Sequence, residues 1–440
     1  MLTSSEPFES AVVSRLIWRL MPFLFLLYIV AYLDRINVGF GILQMRGQLS
    51  ITDRDYGRAA GMFFAGYFFF QLPSNLIIEK IGARRWISAL MVAWGVISCL
   101  MIFIRGPVSF CVMRFLLGAA EAGFFPGIIL YMKNWFPAGA RARAVAWFMT
   151  ANPIAGVVGS PISGALLNLH GSGLEGWQWM FLMEGMPAIV LGAIVFWTLA
   201  DSPQDAKWLR GEEKNWLLDT LLREQNATPG GDSSIWRAVF SLRIWLLSLV
   251  YFGVSTTMYG VTLWLPSVIR ALSGLSYFWT GVVAVVPFVV TTAAMVLVGM
   301  HSDRRGERRW HTAIPAFTAG IGLLIAGYGR SPIVVVTGIG VGLAFAESMV
   351  GPFWAMATAS LSGISAAAGI AAINSLGNLG GYFGPDIIGL FRNANGGFRD
   401  GLLAISATVA VSGSMAIIVG RRSREEKAEQ KERIKSPLPG

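Results

Sequence analysis

The chain has 440 residues, of which 54% are hydrophobic and 14% charged, and its mean hydropathy is +0.58. That balance excludes an ordinary soluble domain. The net charge of +10 would suit nucleic acid, but the basic residues gather in short polar segments between long apolar runs, the distribution of a membrane protein.

Apolar stretches of about 20 residues recur along the chain, each long enough to cross a hydrocarbon core of about 30 Å. Twelve spans are predicted, so the expected fold class is an all-α membrane protein of twelve transmembrane helices. Six lie in a first half, 1–200, at 16–41, 57–79, 86–105, 108–132, 143–168 and 178–200. The first run is too long for a cleaved signal peptide and lacks a small-residue cleavage site. A polar segment, 201–240, follows, with Asp201-Ser-Pro203, Glu212-Glu213-Lys214 and Asn226-Ala-Thr-Pro-Gly-Gly231. The second half, 241–421, holds spans at 243–270, 277–300, 312–329, 332–358, 365–391 and 402–420. With both termini cytoplasmic, most Lys and Arg fall on the cytoplasmic side, which sets the topology. The Asn226 sequon is then cytoplasmic and carries no glycan. The tail 422–440, with Arg422, Arg424 and Lys427, is expected to meet anionic lipid headgroups. Cys99 and Cys111 have neither metal-ligand nor disulfide spacing, so they read as packing residues.

The halves echo each other. Glu79-Lys-Ile-Gly82-Ala-Arg84-Arg85-Trp86 follows span two, and Asp303-Arg-Arg-Gly306-Glu-Arg308-Arg309-Trp310 follows span eight at an offset of 224. Ala120-Glu121 recurs as Ala346-Glu347 at an offset of 226, and Gly156, Gly159 and Gly164 recur as Gly381, Gly384 and Gly389 at 225. Three matches at nearly one offset indicate two pseudo-symmetric six-helix halves, the parallel repeat of the major facilitator architecture. The two acid-Gly-Arg-Arg loops suit a cytoplasmic gate, in which a carboxylate opposed by arginines latches helices in one state and releases them in another.

Charges inside the spans point to function. Asp34 and Arg35 lie well within span one, where each costs roughly 2.5–3.5 kcal/mol by insertion scales. Neighbours on a helix point about 100° apart, so each needs a partner on another helix. Span four supplies Arg114 and Glu121, which share a face about 10 Å apart along the axis. Arginine is the residue expected for a carboxylate cargo, because its planar fork binds both oxygens, and every lysine lies in a loop or the tail. A protonated Glu121 no longer competes for arginine, so an anion can take its place. A static ion pair that only specifies packing is the plainer alternative. Tyr32, Tyr67, Asn152, Trp354, Asn374 and Asn378 are candidate substrate contacts, or else ordinary interhelical contacts. Gly156-Val-Val-Gly159-Ser-Pro161-Ile-Ser-Gly164 suits close helix approach or a bend. Glu347 reads as a second coupling group or a remnant of the repeat, and His170, His301 and His311 as interfacial.

Leu33-Asp34-Arg35-Ile-Asn37, Pro73-Ser-Asn75-Leu, Gly82-Ala-Arg84-Arg85-Trp86, Arg114-Phe-Leu-Leu-Gly118, Glu121-Ala-Gly-Phe-Phe-Pro126-Gly and Gly159-Ser-Pro-Ile-Ser-Gly164 together resemble the anion:cation symporter family of the major facilitator superfamily. The resemblance covers essentially the whole chain and is strongest to bacterial tartrate and sugar-acid transporters, including Asp201-Ser-Pro203 to Trp208-Leu209. It implies proton handling at Asp34 and Glu121, carboxylate binding by Arg35 and Arg114, and substrate contact at Tyr32 and Tyr67. Asn152 stands where a sugar-acid relative has Gln, the flanks of Trp354 depart from that relative, and Glu79 replaces the usual Asp. The implied activity is import of a small hydroxy- or sugar-acid with protons by alternating access, with an aromatic acid such as a hydroxybenzoate or phthalate second. A transporter-fold sensor is a third reading. No enzyme is expected, since no nucleophile–base or metal constellation appears, and no cofactor. The expected setting is a bacterial cytoplasmic (inner) membrane, as a monomer, with a small organic anion, protons and the lipid bilayer as partners.

Overall fold

The computed structural model describes residues 6–226, 241–359 and 364–435, and side chains over 7–78, 80–141, 143–224, 241–359 and 369–421. The Glu79 side chain, the run Asn226-Ala-Thr-Pro-Gly-Gly231 beyond the backbone of Asn226, and the tail side chains lie outside these ranges. Among the described residues every element is helical, apart from one isolated bridge between Gly171 and Leu174.

Among the described residues eleven candidate spans are long and apolar enough to cross a membrane. Span one runs over Glu6–Ile36 and Val38–Gln48, span two over Asp53–Ile81, span three over Ala83–Leu100 and span four over Pro107–Glu121 and Phe124–Trp135. Span five comprises Ala138–Met149 and Ala151–Leu166, and span six Gly176–Thr198. In the second half come Leu242–Ser273, Tyr277–Arg305, Arg309–Tyr328, the pair Pro332–Ser348 and Val350–Ala359, and the helix opened by Arg399. The expected span 365–391 is not among the eleven. It is helical in two pieces, Ile364–Asn378 and Gly380–Asn395, and its asparagines and glycines dilute its apolar content. Local signals set the starts: Thr52 and Asp55 close a capping box on span two, and Pro107 occupies the first turn of span four.

By its contacts the chain divides into two compact units, Met1–Pro229 with Gly274–Val285, and Gly230–Ser273 with Val286–Gly440. In the first, span three lies along span six, span two against span four, and span one against span five. Glycines make these approaches close. A Cβ at Gly118 would fall 1.8 Å from the Phe63 carbonyl oxygen, and one at Gly66 2.1 Å from that of Phe115. This crossing seats the Phe63 ring in the interior of the unit. A Cβ at Gly159 would meet Leu33 of span one at 2.1 Å.

The second unit repeats the pattern. Arg309–Tyr328 lies along the last helix, and the piece from Gly380 lies on Leu242–Ser273. A Cβ at Gly384 would reach the Thr256 carbonyl oxygen at 2.2 Å. Gly159 and Gly384 therefore serve the same helix pairing in the two units.

The segment after span six was expected only as a polar stretch. It contains the helix Gly211–Asn226 and is folded onto the first unit. The Arg15 guanidinium pairs with Glu213 at 2.8 Å, Arg141 with Glu224 at 3.2 Å, and the Trp208 ring stacks on Trp135 at 5.7 Å.

Candidate functional site

The first unit brings its predicted charges together. Arg35 Nη2 donates to Glu121 Oε2 at 2.9 Å, joining spans one and four, and Glu121 is 1% exposed. The guanidinium carbon of Arg35 lies 5.1 Å from the Phe63 ring centroid, 5.5 Å from Tyr67 and 5.9 Å from Tyr32, so three aromatic rings surround it. Arg114 is 0% exposed and sits 5.0 Å from the same Phe63 ring, so one ring carries both guanidiniums. Its Nη2 donates to the Arg35 carbonyl at 3.4 Å. Its Nε and Nη1 have no hydrogen-bond partner among the described residues, and unpaired buried donors are costly.

Asp34 turns away from this pair. Ser98 Oγ of span three donates to its Oδ1 at 2.8 Å, so each of the adjacent charges has found a partner on a different helix. Spans three and six can close here because Gly95 and Gly185 face each other; a Cβ at Gly185 would lie 2.9 Å from the Ser98 Cβ.

Beside Gly185 is a residue that sequence reasoning passed over. Glu184, on span six, is 2% exposed and accepts from Ser163 Oγ at 2.7 Å. The signal was available, because an ionisable residue within the apolar run 178–200 meets the criterion that singled out Asp34. Phe63, Ser98 and Ser163 had no such signal.

Of the remaining candidates, Asn152 is buried in the first unit. In the second unit the Trp354 ring packs edge-on against Tyr251 at 5.2 Å, and Asn378 Nδ2 donates to Asn374 Oδ1 at 3.2 Å. Glu347 is buried at the end of Pro332–Ser348, and no arginine bonds to it among the described residues.

The two acid-Gly-Arg-Arg loops differ. Gly82 and Gly306 have φ of 86° and 62°, the left-handed region that favours glycine. In the second loop Arg308 Nη1 donates to Asp303 Oδ1 at 2.6 Å, the acid–arginine pair that the pattern anticipated. In the first, Arg84 is held by Asp201, which lies outside the loop. The Arg84 backbone N–H donates to Asp201 Oδ1 and its Nε approaches Oδ2, both at 3.1 Å. Arg85 is exposed and Arg309 half-buried, the latter lying 4.9 Å from the Trp310 ring. The interfacial reading of the histidines missed a chain: His301 Nδ1 shares a 2.6 Å hydrogen bond with His311 Nε2, and His311 Nδ1 one of 2.9 Å with Glu307. Burial alone would raise the Glu307 carboxyl, but the backbone N–H groups of Trp310 and His311 and the His311 ring hold it below its ordinary value. Among the described residues no three His, Cys, Asp or Glu are grouped to hold a metal.

The family model of the Major Facilitator Superfamily matches residues 24–385. A protein of Agrobacterium vitis, provisionally named as a tartrate transporter, is 46% identical over 94% of this chain and 92% of its own length. A quinolone resistance transporter of Acinetobacter baumannii is 36% identical over 98% of this chain and 100% of its own. Among solved structures, a bacterial homologue of the human lysosomal transporter Spinster aligns over 95% of this chain and 98% of that one, with a TM-score of 0.73 at 17% identity. The D-xylose–proton symporter aligns over 92% and 96%, with a TM-score of 0.70 at 15% identity. These two likenesses show the fold.

Proposed function

The chain belongs to the major facilitator superfamily, and on that premise we propose that it imports a small organic carboxylate together with protons. It is a multi-pass membrane transporter; the cargo and the coupling are our reading. The observation that carries it is the buried Arg35–Glu121 pair at 2.9 Å. An incoming carboxylate needs the donors that Glu121 occupies, and two carboxylates cannot share one buried guanidinium without repulsion. Protonation of Glu121 frees Arg35, so proton and anion bind together. The uncommitted Nε and Nη1 of Arg114 supply a second set of donors for the same anion.

Similarity to a protein named for tartrate favours a hydroxy- or sugar-acid. We assign polar recognition to Tyr32, Tyr67 and Asn152 in the first unit and to Trp354, Asn374 and Asn378 in the second. Asp34 is assigned a second proton. The loops Glu79–Arg85 and Asp303–Arg309 serve as latches of an alternating-access cycle. The rings of Tyr32, Phe63 and Tyr67 around Arg35 favour an aromatic carboxylate as second reading. We place the protein in the bacterial inner membrane, with cytoplasmic termini, as a monomer built of halves 1–200 and 241–421.

The test is uptake into proteoliposomes under an inward proton gradient, with tartrate, galactonate and a hydroxybenzoate in parallel. Accumulation of one acid, collapsing with a protonophore, is expected. Binding without accumulation would refute transport and leave a sensor.

A further inference from the structure

The spans of the first unit bury three carboxylates, Asp34, Glu121 and Glu184, and two guanidiniums, Arg35 and Arg114. Arginine keeps its charge in proteins. Fully ionised, the set would carry one uncompensated negative charge in a low-dielectric interior, which is costly. Neutrality therefore requires one proton among the carboxylates.

Geometry separates them. Glu121 is bonded to a guanidinium. Asp34 and Glu184 have no guanidinium on them among the described residues: Ser98 Oγ donates to Asp34 at 2.8 Å and Ser163 Oγ to Glu184 at 2.7 Å, and a neutral donor supports a buried carboxylate far less than a paired cation does. Ser98, the donor to Asp34, lies against span six beside Glu184, since a Cβ at Gly185 would fall 3.0 Å from Ser98 Oγ. Asn37, three residues beyond Asp34 and hence on the same helix face, reaches toward Glu184. The close contact of spans three and six at Gly95 and Gly185 holds the pair together.

We infer that Glu184 competes with Asp34 for one proton and thereby sets the pH at which Asp34 loads and releases its proton in the transport cycle. Glu184 is in this sense a positioning residue, and the inference rests on the symport reading above. The charged groups around the pair are Glu121 and, beyond it, Arg35 and Arg114, and the Cys99 thiol is a further titratable neighbour of Asp34. Ser98, Trp94, Ser163 and Asn37 are the neutral ones. With two carboxylates buried in one unit, a proton on one is favoured by the charge of the other. Removing the charge at 184 leaves Asp34 to load its proton only in more acidic solution.

The experiment is the pH profile of tartrate uptake by the full-length protein in proteoliposomes. If tartrate is not taken up, the galactonate or hydroxybenzoate that is accumulated replaces it. For Glu184→Gln the half-maximal pH is expected to fall by about 1 unit, the scale at which two sites titrate as a pair, while Glu184→Asp keeps the wild-type profile. A merely structural role would lower the rate at every pH without moving the midpoint. A pH-dependent wild type with an unshifted Glu184→Gln profile overturns the inference alone. A wild type indifferent to pH overturns the symport reading and the inference with it. If Glu184→Gln fails to fold, Ser98→Ala and Ser163→Ala remove the donors that favour the ionised pair. Each should then move the midpoint to higher pH, and a shift in neither overturns the inference.

Discussion

Arg35→Lys is expected to lose most substrate uptake although it keeps the positive charge. The guanidinium both bonds Glu121 and lies among three aromatic rings, which fixes its plane. A lysine ammonium is a point charge that cannot present a fork and does not stack. Losing one hydrogen bond between charged groups costs about 1.5–3 kcal/mol, or about 10- to 100-fold in affinity. Equilibrium binding of radiolabelled acid to the purified variant reads this directly. Normal affinity would remove Arg35 from the site.

The second large effect is at Glu121. Glu121→Gln keeps the size and the hydrogen-bonding oxygen toward Arg35 but cannot cycle a proton. It resembles the protonated state, in which Arg35 is free for the anion. Exchange of internal for external substrate should persist, while accumulation driven by a proton gradient should vanish. Both are measured in the same vesicles, so a folding defect, which would abolish exchange as well, is distinguished. Accumulation at the wild-type level would mean that Glu121 carries no coupled proton.

Much of the first unit's site was legible because charge inside a bilayer is expensive. Asp34, Arg35, Arg114 and Glu121 stood out against apolar surroundings, and the seven-residue spacing of the last two placed them on one face. The requirement that neighbours in sequence pair with different helices anticipated Glu121 and left only the identity of Ser98 open. Glu184 carried the same signal but no neighbouring charge or motif drew attention to it. Phe63 was hidden for another reason, since a phenylalanine in a span is ordinary until a glycine crossing wedges it between two arginines. The partner of Arg84 was out of reach because Asp201 lies 117 residues away, and spacing says nothing about contacts that long. In the second loop Asp303 and Arg308 are five residues apart, and there the pattern sufficed. The repeat was legible from Gly159 and Gly384, which stand at the same helix pairing in the two units, Gly159 against the Leu33 side chain and Gly384 against the Thr256 backbone.

In the proposed cycle an anion and a proton replace the Arg35–Glu121 bond together. Its most direct test is proton uptake by the purified protein in weakly buffered solution, followed with a pH-indicator dye as tartrate, or the acid found to be transported, is added. The account predicts uptake of at least about one proton per bound acid, reduced in Glu121→Gln. Saturable binding with no change in proton content would contradict it.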